Sequence, residues 1–324
     1  MKPLKVFVPK NPDPIPYENL WNVLREETER ILKEDLVFVD EGFILIKQEF
    51  NIYGEKHIRK ALVGFLNKGE YKFYPHEDVF PEGVEFYKGI FKNYGYQFAP
   101  VMCIFKDDGK VVSSLKEGEK IGDFEYGGVK TEVFLTDFKG EIPKDVYIAD
   151  GHHRFEALDG DVLVALMDVN DPNLFILPTH RIIRAKLSEL KRFIEGKEID
   201  ILTLSSEEVL ESVIREGLIP LIVLPHNGKP LGFIPRKRDN ILMNVPAYIS
   251  DFYIFEGNYD LIVGYERDLK RVLKEGKGKG FLSVILSPTK PMDVLRVANE
   301  GKMMPRKSTD FYPKLVAGMF YAKP

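Results

Sequence analysis

The sequence is nearly free of cysteine, and this excludes several kinds of site. Its 324 residues include one cysteine, Cys103, so neither an intrachain disulfide nor a multi-cysteine metal site can form. The neighbours of Cys103 over Val101–Phe105 are apolar, which predicts a thiol buried in a strand rather than a reactive one.

Long apolar runs are also missing. No stretch approaches the roughly 20 residues that a membrane-spanning helix needs. The first residues, Met1–Lys5, are charged and lack the apolar core of a signal peptide. We therefore expect no membrane partner and a cytoplasmic location.

An excess of positive charge is absent as well. The chain has 46 Lys and Arg against 50 Asp and Glu, a formal net charge of −4, so nucleic acid is not an expected partner. Glutamine occurs only at Gln48 and Gln97 while Lys and Glu are abundant, a composition typical of thermophilic proteins. With 44% hydrophobic and 30% charged residues, the chain is predicted to be globular and to bury a sizeable core.

Hydrophobic periodicity predicts a mixture of strands and helices. Apolar runs at Leu36–Val39 and Phe43–Ile46 flank Asp40–Gly42, a pattern that predicts a hairpin. Lys56–Leu66 is predicted to be helical. Val162–Asp168 is a continuous apolar run, which predicts a strand buried on both faces.

The stretch Val146–Leu158 concentrates polar side chains at a break between apolar segments. Val146–Ala149 has the composition of a strand, Asp150-Gly151 breaks it, and a helix is predicted to begin near His152. Such a strand–glycine–helix turn directs free backbone N–H groups at one point, which attracts an anion.

Four ionisable or metal-competent side chains, those of Asp150, His152, His153 and Arg154, lie within five residues of this break. The guanidinium and the two imidazoles would reinforce anion binding. The carboxylate of Asp150 would repel a bare phosphate and is better suited to a metal ligand or a general base. The alternative is a hairpin turn followed by surface histidines. The density of polar groups favours a phosphate or phosphoryl site.

Two His-containing pairs elsewhere could contribute to the same site. His76 and Glu77 follow Pro75 on a predicted loop, where a polar pair can serve as base or ligand. The alternative for these residues is a packing role in an aromatic stretch. His180 and Arg181 stand at a predicted strand end, where the alternative role is a structural salt bridge.

A third group, Arg306–Thr309, offers two cations and two hydroxyls in four residues. Such a group can hold phosphate oxygens through charge and hydrogen bonds. The alternative is a solvated loop.

Taken together, the motifs resemble a known family. Tyr147–Ala157, Ile176–Arg181 and Met304–Lys314, in this order, resemble the family called domain of unknown function 1015, and Pro75–Glu77 matches a further element of it. The Gly151–Arg154 segment also resembles the glycine-basic motif of the ParB and sulfiredoxin superfamily. The resemblance implies phosphoryl transfer to free L-serine, with pyrophosphate or a nucleotide as donor and Mg²⁺ as cofactor.

The same resemblance assigns residues to roles. The phosphate-binding set that it implies is Gly151, His152, His153, Arg154, Arg181, Lys307, Ser308 and Thr309, with His76 and His180 as substrate-binding residues and Glu77, Asp150, His152 and Arg154 as catalytic ones. The sequence departs from the family pattern at its N-terminal arm and in the short segment Asp159–Asp161. Both departures concern the acceptor more than the phosphate site.

The mechanism that we expect is charge stabilisation by cations together with one carboxylate base. Lys307 and Arg181 would offset the charge of the moving phosphoryl group. Glu77 or Asp150 would accept the proton of the acceptor hydroxyl, and the other would help to hold Mg²⁺. Glu77 is the preferred base.

Two rival functions follow from the superfamily. A ParB-like switch that binds and hydrolyses nucleotides on DNA is disfavoured by the acidic net charge and by the lack of a helix-turn-helix pattern. A sulfiredoxin-like reductase would need a cysteine where His152 and His153 stand.

The predicted architecture is an α+β fold, a mixed sheet with flanking helices around a ParB/sulfiredoxin-like catalytic core. Residues 1–185 would contain that core, and residues 186–324 would return Lys307–Thr309 to the site, as a separate domain or as part of one continuous domain. No sequence feature indicates the oligomeric state.

Overall fold

The chain forms two compact units in the computed structural model, which describes residues 1–26, 35–205, 216–225, 228–275, 278 and 280–324. The first unit comprises Met1–Phe175 and Phe311–Pro324, and the second comprises Ile176–Asp310. The C-terminal segment from Phe311 thus belongs with the first unit.

A mixed ten-stranded sheet dominates the first unit. Its strands are β1 Leu4–Pro9, β3 Leu36–Ile52, β4 Glu55–Asn67, β5 Lys72–Tyr74, β6 Val101–Phe105, β7 Lys120–Tyr126, β8 Val129–Thr136, β9 Asp145–Asp150, β10 Asp161–Asp168 and β20 Tyr321–Lys323. They follow the order β20-β1-β3-β4-β10-β6-β9-β5, with β8 also paired to β3 and β7 paired to β8. The pairs β10–β6 and β5–β9 are parallel, whereas β3–β4 and β10–β4 are antiparallel.

Helices and two short strands complete the first unit. The helices span Tyr17–Glu26, Pro81–Tyr94, Lys110–Ser114 and His152–Glu156. The strands β2 (Ile15–Pro16) and β19 (Val316–Ala317) pair with each other, and the short strands β11 (Phe175–Ile176) and β18 (Phe311–Tyr312) fall at the unit boundaries in the sequence. Sheet and helices together confirm the predicted α+β class.

The core of the first unit lies around the central strands. β10 is buried along almost its whole length, as its continuous apolar run predicts. Cys103 is buried in β6, and it packs with side chains of β9 and β10 in one apolar cluster. The C-terminal end of β9, where Asp150 lies, is thus attached to the apolar core of the unit.

Two predicted elements are wrong. Leu36–Ile52 is one continuous strand, so no hairpin forms at Asp40–Gly42, and the turn lies instead at Tyr53-Gly54, whose φ angles are 54° and 81°. Lys56–Leu66 is a strand rather than a helix. Its apolar residues fit a helical spacing, but β4 pairs with β3 and with β10, and pairing on both edges overrides that local pattern.

The second unit has a separate six-stranded sheet in the order β13-β15-β14-β17-β12-β16. These strands are β12 His180–Ile183, β13 Ile199–Thr203, β14 Leu221–Pro225, β15 Leu231–Pro235, β16 Ile262–Glu266 and β17 Leu282–Leu286. Its α-helices span Leu187–Ile194, Pro246–Tyr248, Leu269–Glu275 and Pro291–Asn299, with 3₁₀ helices at Ile241–Asn244 and Tyr259–Leu261 and a π-helix at Ile249–Ile254. No helix in the described ranges is long and apolar enough to cross a membrane.

Candidate active site

A cavity of about 400 Å³ in the first unit brings together six of the twelve site residues that the sequence predicts. Its lining residues are Tyr17, Trp21, Glu77, Asp78, Phe80, Glu82, Gly83, Tyr87, Asp150, Gly151, His152, His153 and Arg154. The predicted catalytic residues Glu77, Asp150, His152 and Arg154 therefore lie on one surface. A volume of this size is within the range of small-molecule sites.

The strand–glycine–helix turn forms where the sequence predicts it. β9 ends at Asp150, and a short helix starts at His152. Between them Gly151 has a φ of +94°, a backbone conformation that favours glycine. A Cβ atom at this position would lie 2.5 Å from Nη2 of Arg154. The glycine therefore allows the backbone turn, and its missing side chain leaves room for the guanidinium of Arg154 to pack against it.

Asp150 holds two cations at the cavity. Its Oδ2 accepts a hydrogen bond from Nη2 of Arg154 at 3.1 Å, and its Oδ1 accepts one from Nζ of Lys314 at 2.8 Å. Burial alone would raise the pKa of Asp150, but the charges of Lys314 and Arg154 outweigh burial and lower it. Asp150 is consequently an ionised anchor for the two cations.

Lys314 is a site residue that our sequence reasoning missed. It is the last residue of the Met304–Lys314 motif, and that position was the only sequence signal for it. Its contact with Asp150 spans 164 positions of the chain, so only the fold reveals the pair.

Arg154 is a buried cation, and its side chain is only 4% exposed. Its Cζ lies 4.1 Å from the ring centroid of Tyr17, a cation–π contact. Burial opposes the charged form, but Tyr17 and Asp150 together raise the pKa of Arg154. Its Nε has no hydrogen-bond partner among the described residues. The guanidinium thus stays charged and retains an unused donor.

Two of the histidines at the site are buried and neutral. Burial lowers the pKa of His152 to about 3 and that of His76 to about 4. Nδ1 of His76 lies 2.8 Å from the carbonyl oxygen of Ile148 and so carries the proton. The two rings meet edge to face, with centroids 4.8 Å apart. His76, which is fully buried, lies behind His152 and is not among the residues that line the cavity.

His153 faces the helix Pro81–Tyr94. Its Nε2 accepts a hydrogen bond from the backbone N–H of Phe80 at 2.9 Å, and burial lowers its pKa. A Cβ atom at Gly83 would lie 2.5 Å from Cδ2 of His153. The ring therefore fixes the start of this helix against the turn and keeps only Nδ1 for a ligand.

The role of Asp150 as a Mg²⁺ ligand stays a prediction, and a Mg²⁺ ion there would share the carboxylate with Arg154 and Lys314. Both of its carboxylate oxygens already accept hydrogen bonds from cationic side chains. Within the described ranges, no group of three or more His, Cys, Asp or Glu side chains is arranged to hold a metal ion.

In the second unit, Arg181 is fully buried and its N–H groups are in use. Nε and Nη2 donate to the two carboxylate oxygens of Asp251 at 3.1 and 3.0 Å. Nη2 also donates to the carbonyl of Arg306 at 3.1 Å, and Nη1 donates to the carbonyls of Lys307 at 3.4 Å and of Thr179. All five donors of the guanidinium have acceptors. Arg181 therefore holds the backbone of the third motif, and a phosphate would have to displace these bonds.

The other predicted residues of the second unit divide into buried and accessible ones. Nδ1 of the buried His180 accepts a hydrogen bond from the backbone N–H of Leu286 at 3.1 Å, and burial lowers the pKa of His180 to about 4. The hydroxyl of Ser308 donates to the carbonyl of Pro305 at 2.6 Å. Lys307 is exposed with a φ of +59°, and Thr309 is half-buried.

Comparison with known proteins supports the family resemblance. Residues 5–159 match the family model described as "Protein of unknown function (DUF1015)", and this confirms the resemblance that the motifs predict. None of the curated proteins matches the sequence.

Several solved structures are distantly similar. A mutant free serine kinase in complex with AMP is 13% identical, with a TM-score of 0.45, and the match covers 79% of this chain and 91% of that one. A conserved hypothetical protein from Pyrococcus furiosus is 13% identical, with a TM-score of 0.43 and coverages of 79% and 94%. C-terminally truncated SbnI from Staphylococcus aureus is 10% identical, with a TM-score of 0.44 and coverages of 79% and 85%.

Proposed function

We propose that the chain, whose residues 5–159 match the DUF1015 family model, is a small-molecule kinase that phosphorylates the hydroxyl of free L-serine, with pyrophosphate or a nucleotide as donor. The observation that carries the proposal is the cavity that brings Glu77, Gly151 and Arg154 together. In this proposal these residues supply a base, the backbone turn at the start of a helix and a cation. Phosphoryl transfer needs little else from the protein, since positioning and charge stabilisation provide most of its catalysis.

Charge stabilisation is the role of Arg154 in this proposal. The guanidinium lines the cavity and stays charged. Asp150 keeps the guanidinium in place and brings the ammonium of Lys314 beside it. A fixed cation of this kind stabilises negative charge on the transferring group without having to reorganise.

Glu77 is the base in this proposal. A general base works best when its pKa is near the working pH. The pKa of Asp150 is lowered by its two cations, so Asp150 accepts a proton poorly. The side chain of Glu77 is 32% exposed and lines the same cavity, where it can meet an incoming hydroxyl.

The charge of the lining supports an amino acid as acceptor. Three carboxylate side chains, those of Glu77, Asp78 and Glu82, line the cavity in addition to Asp150, which is already paired with two cations. Such a lining favours an acceptor that carries an ammonium group, as serine does, over one that carries only negative charge. Ammonium binding would place the serine hydroxyl near the carboxylates, with the donor phosphate toward Arg154.

The direct test is phosphoserine formation from L-serine with pyrophosphate, ADP or ATP in the presence of Mg²⁺. We expect product with at least one donor. We also expect Glu77→Gln to lower kcat by about 100-fold or more, the range typical for loss of a general base. Glu85→Gln is the matched control, because Glu85 is exposed, pairs with Lys88 and does not line the cavity.

Two results would count against the proposal. The kinase assignment fails if the folded protein forms no phosphoserine with any donor. The assignment of Glu77 as base fails if Glu77→Gln turns over at the rate of the Glu85→Gln control.

A further inference from the structure

Arg59 is an unusual buried cation. It lies in β4 with 1% of its surface exposed, and no carboxylate among the described residues pairs with it. Its Nη1 donates to the carbonyl of Tyr312 at 3.0 Å, and its Nη2 donates to the carbonyl of Pro313 and to the side-chain oxygen of Gln48. Burial lowers the pKa of Arg59 to about 9. The charge of Asp171 offsets part of this effect, but the hydrogen bonds of the guanidinium go to neutral oxygens. Such a guanidinium is costly to bury, and its contacts therefore call for a specific use.

Gln48 holds the next backbone carbonyl of the same segment, that of Lys314. It lies directly opposite Arg59 in the β3–β4 register and is equally buried. Its Nε2 donates to the carbonyl of Lys314 at 2.9 Å and lies 3.2 Å from Oγ1 of Thr131. The cross-strand pair Arg59–Gln48 thus holds the consecutive carbonyls of residues 312, 313 and 314.

The segment is also fixed on its far side. The backbone N–H of Tyr17 donates to the carbonyl of Leu315 at 3.2 Å, and Val316 pairs with Pro16. The side chain of Lys314 therefore extends from a backbone segment that is hydrogen-bonded on both sides. Its Nζ meets Asp150 at 2.8 Å, and its side chain is 16% exposed.

We propose that Arg59 and Gln48 are positioning residues that deliver Lys314 to Asp150 and so set the cation pair of the active site. This proposal rests on the proposed kinase function only for its catalytic consequence. The alternative is that Arg59 and Gln48 merely attach the C-terminal segment to the sheet, with no effect on the ammonium of Lys314.

The test measures the reactivity of the Lys314 amine directly. The full-length protein is treated with an amine-acetylating reagent near pH 8.5, and the acetylation rate of each lysine is read by mass spectrometry. Lys60 serves as an internal reference, because it lies beside Arg59 on β4 and its pair with Glu117, at 3.5 Å, is longer and more exposed than the pair of Lys314 with Asp150 at 2.8 Å. In the native protein we expect Lys314 to react about tenfold more slowly than Lys60, since a shorter and more buried ion pair lowers the fraction of free amine further.

Two substitutions address the positioning. Gln48→Glu keeps the shape of the side chain and gives Arg59 a carboxylate, but it removes the donor to the carbonyl of Lys314. Arg59→Met removes the guanidinium. In both we expect the reaction rate of Lys314 to rise about tenfold, as for one unit of pKa, with that of Lys60 unchanged. Arg59→Lys keeps a charged donor and should restore part of the protection.

Thr131→Val is the matched control. It removes the hydroxyl that accepts a hydrogen bond from Gln48, but the carbonyls of residues 312–314 keep their donors. Lys314 should stay protected in this variant, and kcat for phosphoserine formation should fall only in Gln48→Glu and Arg59→Met.

The outcomes separate the two proposals. If Lys314 is as protected in Gln48→Glu as in the native protein, the positioning role is wrong, and this holds even if Arg59→Met does not fold. If Lys314 becomes reactive but the native protein makes no phosphoserine, the positioning role stands and the kinase assignment fails. If Thr131→Val exposes Lys314 equally, the effect is a general loosening of the sheet, and the specific role is overturned.

Discussion

Gly151 combines two requirements that can be tested separately. Its φ of +94° costs a residue with a Cβ about 1–3 kcal/mol. In addition, the Cβ would lie 2.5 Å from Nη2 of Arg154. We expect Gly151→Ala to lower the free energy of unfolding in urea by about 1–3 kcal/mol and to abolish phosphoserine formation, because the guanidinium is displaced.

Gly160→Ala is the control for the backbone cost alone. Gly160 has a φ of +70°, but the nearest atom to a new Cβ is Nδ2 of Asn67, at 3.9 Å. This variant should lose comparable stability and keep its turnover. Equal turnover in the Gly151→Ala and Gly160→Ala proteins would show that the position of Arg154 does not matter for the reaction.

At Asp150 the charges of two cations outweigh the effect of burial on the carboxylate. Asp150→Asn would leave Arg154 buried and Lys314 largely buried without their carboxylate. We expect a loss of about 2 kcal/mol in the free energy of unfolding, below the 3–5 kcal/mol of a fully buried pair because the Asp150 side chain is partly exposed. Urea denaturation measures it. Asp123→Asn, which breaks an exposed pair with Lys120, should leave stability unchanged; an equal loss in both variants would contradict a special role for Asp150.

At the scale of elements, local patterns predicted some strands and turns correctly and failed at others. The apolar run of β10 and the turn at Gly151 were both predicted from sequence. β4 was not, because its apolar spacing suits a helix and only its pairing with two neighbouring strands makes it extended. Periodicity therefore fails where tertiary hydrogen bonding decides between two acceptable local structures.

The candidate site shows the same limit. Glu77, Asp150, His152 and Arg154 lie in short motifs, so their chemistry was visible in the sequence. The contributions of Lys314 and Arg59 depend on contacts across 164 and 253 positions of the chain. No pattern within a window of residues contains such information.

Arg181 is a motif residue that holds the backbone of residues 306 and 307 in the structure, and this role can be tested. Its buried pair with Asp251 and its bonds to the carbonyls of Thr179, Arg306 and Lys307 use all five donors. We expect Arg181→Met to lower the free energy of unfolding of the second unit by about 3–5 kcal/mol, the cost of leaving a buried carboxylate unpaired.

The control for Arg181 is Arg271→Met. Arg271 is exposed, and its Nη1 is 3.9 Å from Glu266, so its loss should leave unfolding unchanged. An Arg181→Met protein that melts like the control but binds pyrophosphate far more weakly would show that the guanidinium serves the ligand after all.

For the molecule as a whole, buried neutral histidines make stability depend on pH. The pKa values of His76 and His180 are about 4 and that of His152 is about 3, against an ordinary value of 6.5. Below pH 6.5 these histidines bind protons in the unfolded chain but stay neutral in the folded one, so acid favours unfolding. The contribution of each histidine is complete above pH 6.5 and declines by up to about 1.4 kcal/mol per pH unit as the pH falls toward 4.

Urea unfolding at intervals from pH 7.5 to pH 5 measures this dependence, and we expect stability to fall steadily below pH 6.5. His180→Gln is the informative variant, because an amide oxygen can still accept the N–H of Leu286 but does not titrate. In that protein the slope for the second unit should largely vanish, while the slope for the first unit, which holds His76 and His152, should remain. A second unit that loses stability just as steeply without His180 would place the acid sensitivity in other groups.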